Sequence, residues 1–104
     1  MPSSALPRPT PAELEMLAAL DFVCWEDQED GRSGWARHWR VAETYGCSDV
    51  WAYQLLGYLL HQGLVERKSV QAVTNGHRCR PFIYALTEKG AELLLQAETQ
   101  EFHR

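Results

Sequence analysis

The chain has 104 residues, 45% of them hydrophobic, and a formal net charge of -4, enough for one modest core and too little for two. No apolar run approaches the ~18 residues that span a bilayer, and the start lacks the basic-then-apolar layout of a secretory leader, so a cytoplasmic protein is expected. Cys24, Cys47 and Cys79 form no C-x-x-C pair and the four histidines no ligand spacing; neither a disulfide framework nor a metal site is indicated, and the lack of a phosphate loop, carboxylate pair or nucleophile motif points away from an enzyme or a cofactor.

Residues 1–10 carry Pro2, Pro7 and Pro9 and are expected as a disordered tail, leaving 11–104 as the domain. Thr10, Pro11 and Glu13 have the spacing of a capping box that opens a helix. This helix runs through Leu14, Leu17, Ala18 and Asp21 towards Val23, with Met16, Leu20 and Phe22 broadening its apolar surface. Glu26 to Gly34 is expected as a solvated, acidic loop. A second helix is predicted over Trp35–Tyr45, with Trp35, Trp39 and Ala42 facing the core. Arg37 and Arg40 project from its other side, which suits either a phosphate contact or plain solvation.

Residues 41–62 read as helix, tight turn and helix. Gly46 marks the turn and Ser48 is placed to cap the next helix, whose apolar stripe is Ala52, Leu55, Leu56, Leu59 and Leu60. Gly63 supplies the left-handed stop. The other face offers Asp49, Val50, Trp51, Tyr53, Gln54 and Tyr58, with no Lys or Arg. Gln54 suits a bidentate contact to adenine and Val50 a thymine methyl. Equally, the exposed aromatics suit a protein partner.

Residues 64–86 read as a wing. Glu66–Val73 and Arg80–Leu86 are strand-like and meet across Asn75-Gly76, the dipeptide favoured in tight hairpin turns; Pro81 suits an edge position. Arg67, Lys68, His77, Arg78 and Arg80 make this hairpin basic, as phosphate binding requires. Residues 87–102 form a final helix capped by Thr87, with Ala91, Leu94, Leu95, Glu98 and Phe102 along one side. Its apolar residues occupy more than one narrow stripe, so Leu94, Leu95 and Phe102, with Leu14 and Leu17 of the first helix, are expected to bury against a second copy.

Charge is distributed unevenly along the chain. Residues 1–30 carry one basic against seven acidic side chains, 31–87 seven against three, and 88–104 two against four. Basic charge thus concentrates in the helix-turn-helix and wing. Cys47 at the turn has no flanking cation, and neither it nor Cys79 on the wing, between Arg78 and Arg80, has a second cysteine nearby, which argues against redox sensing.

Leu59-Leu60-His61-Gln62-Gly63-Leu64-Val65-Glu66-Arg67, then a basic hairpin, then Tyr84-Ala85-Leu86-Thr87-Glu88-Lys89-Gly90-Ala91-Glu92-Leu93-Leu94 resembles the winged-helix regulators of the PadR and MarR type. The resemblance spans roughly Val41 to Leu95. It implies a mainly α fold with a small β-hairpin wing, a prokaryotic or phage origin, a homodimer, and repressor-type binding to a palindromic duplex operator. The helix from Ser48 to Gln62 would enter the major groove while Arg78 and Arg80 anchor the backbone. The competing reading of the same residues is a winged helix that binds a protein through its aromatic face.

Overall fold

The computed structural model describes residues 9–69, 72–74, 77–79 and 82–102, with 72–74, 77–79 and 100–102 described by backbone alone. The elements in chain order are α1 (Pro11–Glu29), β1 (Ala36–Arg37), α2 (His38–Tyr45), α3 (Asp49–His61), β2 (Val65–Ser69), β3 (Ala72–Thr74), β4 (His77–Cys79), β5 (Phe82–Leu86) and α4 (Glu88–Phe102). β5 lies between β1 and β2 in a three-stranded antiparallel sheet, and β3 pairs with β4 as a separate hairpin. This is the mainly helical winged helix-turn-helix that the sequence predicts.

The predicted cap of α1 is present. The Glu13 N–H donates to Thr10 Oγ1 at 3.2 Å, and the Thr10 N–H donates back to Glu13 Oε1 at 3.4 Å. The helix is longer than predicted, however, and continues to Glu29. Asp27, expected in a solvated loop, is only 4% exposed. Its Oδ2 accepts the Gly34 N–H at 2.9 Å and the Ser33 hydroxyl at 3.4 Å, and its Oδ1 lies 3.3 Å from an Arg40 nitrogen. A buried carboxylate needs such donors; they tie the end of α1 to the segment that follows and to α2.

The core is built from Met16, Leu17, Leu20 and Val23 of α1, Val41 and Ala42 of α2, Ala52, Leu56 and Leu59 of α3, and Ala36, Val65, Tyr84 and Leu94. α1 turns Phe22 and Trp25 out to solvent, their rings 6.2 Å apart. Two expectations fail here. Trp35 does not belong to a helix: it precedes β1, is half-buried, and its ring carries Lys68 Nζ at 4.2 Å. Trp39, in the first turn of α2, is 42% exposed. The place foreseen for the two indoles is taken by β1, whose Ala36 pairs with Tyr84 across the sheet.

Leu17 and Leu94, expected at a contact between copies, are buried inside the protomer at 0% and 7% exposure. They have no surface left to offer a second subunit. Leu14 is half-buried, Leu95 is exposed, and the side chain of Phe102 lies outside the described residues.

The wing departs from expectation in detail. The strand predicted over Glu66–Val73 is described as β2 and β3 on either side of residues 70–71, that predicted over Arg80–Leu86 is described as β5 from Phe82 on, and β4 at His77–Cys79 falls outside both predicted strands. Thr74 pairs with His77, so two residues in sequence, Asn75-Gly76, join β3 to β4. Those two residues, Arg80 and Pro81 lie outside the described residues, as does most of the proline-rich tail.

The two resembling sequence fragments meet in space. The Thr87 hydroxyl donates to the Gly63 carbonyl at 2.7 Å while accepting the Gly90 N–H at 3.1 Å, and the Thr87 N–H donates to the Leu64 carbonyl at 3.1 Å. Lys89 Nζ reaches the Gln62 carbonyl at 3.3 Å. Thr87 therefore caps α4 and also fastens it to the end of α3. Gly63, at φ +76°, makes the left-handed turn that brings Leu64 into position.

Candidate nucleic-acid interface

α2 and α3 are joined across Gly46, Cys47 and Ser48. Gly46, at φ +90°, donates its N–H to the Ala42 carbonyl at 2.8 Å, and Cys47 donates to the same oxygen at 3.1 Å. Ser48 Oγ accepts the Trp51 N–H at 3.2 Å. That oxygen is therefore engaged in capping α3. Ala52, Leu56 and Leu59 turn inward, with Leu55 and Leu60 half-buried. Val50 (68% exposed), Trp51, Tyr53, Gln54 and Tyr58 all face outward.

Two of the three aromatics on this face, Trp51 and Tyr53, are braced by α2 rather than free. Tyr45 and Trp51 have ring centroids 5.1 Å apart, and His38 meets Tyr53 edge-on at 5.5 Å. Contacts of this geometry hold rings in fixed orientation. Sequence reasoning missed His38 because only the turn brings the first residue of α2 over the first turns of α3.

The basic residues fall into separate groups. Arg67 is exposed on β2 with its guanidinium 4.1 Å above the Phe82 ring, and Lys68 stands on Trp35. Such cation–π seats restrain a charge without neutralising it. Arg40 is not freely solvated, since one of its guanidinium nitrogens is held by Asp27. Arg37 is the residue before α2 and is half-buried. His77 and Arg78 belong to β4, but their side chains, like all of Arg80, lie outside the described residues. The α3 face, His38, Arg67 and Lys68 thus make up the described part of the candidate surface.

The two described thiols, Cys24 and Cys47, are not set up for chemistry. Burial, with help from Asp21 and Asp27, pushes Cys24 from 9.0 to about 11, and its thiol donates to the Tyr84 carbonyl at 3.6 Å. Burial and the nearby Asp49 also raise Cys47. Because only the thiolate attacks, Cys24 at neutral pH is expected to react with iodoacetamide about a hundredfold more slowly than an unperturbed thiol. Mass spectrometry of a timed alkylation checks this; a rate equal to that of the urea-unfolded chain would disprove it.

No family model and no curated protein matches the sequence. Solved structures do resemble the fold. MarR from E. coli aligns over 88% of this chain at 16% identity and a TM-score of 0.63. BpsR from Bordetella bronchiseptica aligns over 95% at 19% and 0.64. CouR, a transcriptional repressor bound to a 23-mer DNA duplex, aligns over 92% at 25% and 0.62. The aligned parts are 56%, 61% and 57% of those chains, so this chain spans little more than half their length. What it shares with these structures is the winged helix-turn-helix fold.

Proposed function

We propose that the chain is a sequence-specific, double-stranded DNA-binding transcriptional regulator of repressor type, cytoplasmic, with residues 11–104 acting as one domain. In this reading α3 enters the major groove, where Gln54 and Val50 meet base edges, and the basic strands lie on the backbone. The observation that carries it is an outward α3 face fixed at both ends, by the Ser48 cap and by the strut from Thr87 to Gly63, beside the exposed Arg67 and Lys68. The DNA-bound CouR, with the same fold, supports it. No helix among the described residues is long and apolar enough to cross a membrane.

Salt dependence is the direct test. Each phosphate neutralised contributes about 0.9 to the slope of log affinity against log salt, so replacing Arg67 and Lys68 by Ala should lower the slope by about 2. Gln54→Ala should relax preference at one base pair, at ~1–3 kcal/mol, while leaving other positions alone. An unchanged slope, or uniform weakening on every sequence, counts against these assignments.

Two copies on a palindromic site would pair through Leu95 and Leu14, the predicted contact residues that reach the surface among those whose side chains are described. Sedimentation equilibrium should show a dimer that Leu95→Glu weakens; a monomer at micromolar concentration contradicts the pairing. A second reading has its own observation: α3 carries no Lys or Arg, and Val50, Trp51, Tyr53 and Tyr58 are all exposed. That composition suits a protein partner, and failure to bind duplex DNA even at low salt would favour it.

A further inference from the structure

We propose that the hollow between the end of α1, β1 and the start of α2 binds a small phosphate monoester carried on a flat ring, such as a nucleoside monophosphate. The cavity has a volume of about 330 Å³ and is lined by Asp27, Arg32, Arg37, Arg40, Trp35 and Trp39, with Ile83 and Ser33 completing it. That volume lies at the lower end of the range for small-molecule sites, about 300–1,000 Å³. The site is separate from the outward face of α3, and the proposal does not depend on the DNA reading.

The charge of the lining selects the ligand. The lining holds three guanidiniums and one carboxylate, and that carboxylate is already engaged. Oδ2 takes the Gly34 N–H and the Ser33 hydroxyl, while Arg40 and Arg32 both approach Oδ1, at 3.3 and 3.8 Å. One carboxylate oxygen cannot satisfy two guanidiniums, each with five N–H donors. Donors remain for an incoming anion, and the lining carries two positive charges in excess. A phosphate monoester at neutral pH bears close to two negative charges and three terminal oxygens, and matches this excess. A monocarboxylate leaves half of it unbalanced.

The remaining walls select for a ring. Lys68 covers one side of the Trp35 ring, whereas Trp39 is 42% exposed. An exposed indole beside a cluster of guanidiniums is a surface on which a base stacks, as on the aromatic side chains of single-strand binders. In Arg37↔Ile83 and Lys68↔Ile83 the sheet register sets an apolar side chain between two cations. The same face of the sheet therefore offers a place for the ring and places for the charge.

The test is isothermal titration of the full chain with adenosine 5′-monophosphate, compared with adenosine, inorganic phosphate and benzoate. Saturable binding of the monophosphate is expected, with each of the other three weaker by about tenfold or more, since a lost charged hydrogen-bond partner (adenosine, benzoate) or a lost stacked base (inorganic phosphate) carries about that factor. Arg32→Ala and Trp39→Ala should each weaken it by a similar factor with an unchanged circular dichroism spectrum. The Arg32 side chain is 65% exposed, so its removal leaves the core intact. Four results would overturn the proposal: no saturable heat at millimolar monophosphate, phosphate or benzoate binding as tightly, variants that bind normally, or variants that weaken only duplex DNA. The last would make the hollow a seat for backbone phosphate.

Discussion

Gly90→Ala should destabilise the protein by about 3 kcal/mol, in the upper range for overpacking, although alanine is the better helix former. In the first turn of α4 the exchange would favour the helix by up to ~1 kcal/mol on propensity alone. The opposing term is larger. A Cβ at residue 90 would fall against the Leu64 carbonyl oxygen and 2.9 Å from its carbon, and this is backbone that already receives the Thr87 N–H. Neither partner can rotate away, so α4 must lift from the end of α3 or the turn at Gly63 must shift. At ~4–8 °C per kcal/mol for a domain of this size, thermal melting should fall by well over 10 °C. An equal or raised melting temperature would show that the two segments are not in contact.

Asp27→Ala should cost a comparable ~3 kcal/mol, for a different reason. The substitution leaves the buried Gly34 N–H without its acceptor and frees Arg40, whose side chain is 26% exposed, beside an excess of like charge. An unsatisfied buried donor costs ~1–3 kcal/mol and breaking a fully buried pair ~3–5; Arg40 is partly hydrated, which cuts the second contribution well below that range and leaves a total of ~3 kcal/mol. Arg32, with its side chain 65% exposed, adds little. Asp27→Asn keeps an oxygen for Gly34 and loses the charge, so it should fall between wild type and Asp27→Ala in urea titration. Equal stability of Asn and Ala variants would mean that the charge, and not the hydrogen bond, carries the effect.

Elements whose signals are local were legible in the sequence. Thr10 and Glu13 are three residues apart and begin α1 through their own hydrogen bonds; Ser48 and Gly63 bound α3 in the same way. What was not legible depends on residues distant in the chain. The acidic last turns of α1 read locally as loop, and the donors that let Asp27 be buried lie at Gly34 and Arg40. β1 is two residues long and exists through pairing with Tyr84 and Ile83, which no local pattern around Ala36 records. The outward side chains of α3 were readable from helical spacing. Their bracing by Tyr45 and His38, and the diversion of Arg40 to Asp27, were not, because each depends on the angle at which α2 meets its neighbours.

The order β1, β5, β2 leaves β2 with one side unpaired among the described residues. An open strand edge is a template on which another chain can add itself, the usual route to amyloid-like growth. Here four of its five residues, Glu66, Arg67, Lys68 and Ser69, are exposed and polar. A strand approaching that edge would have to desolvate three full charges, and a second β2 laid beside the first would bring several of them together. The positive charge assigned above to phosphate contact therefore has a second effect: it keeps copies of the domain from joining edge to edge into fibrils.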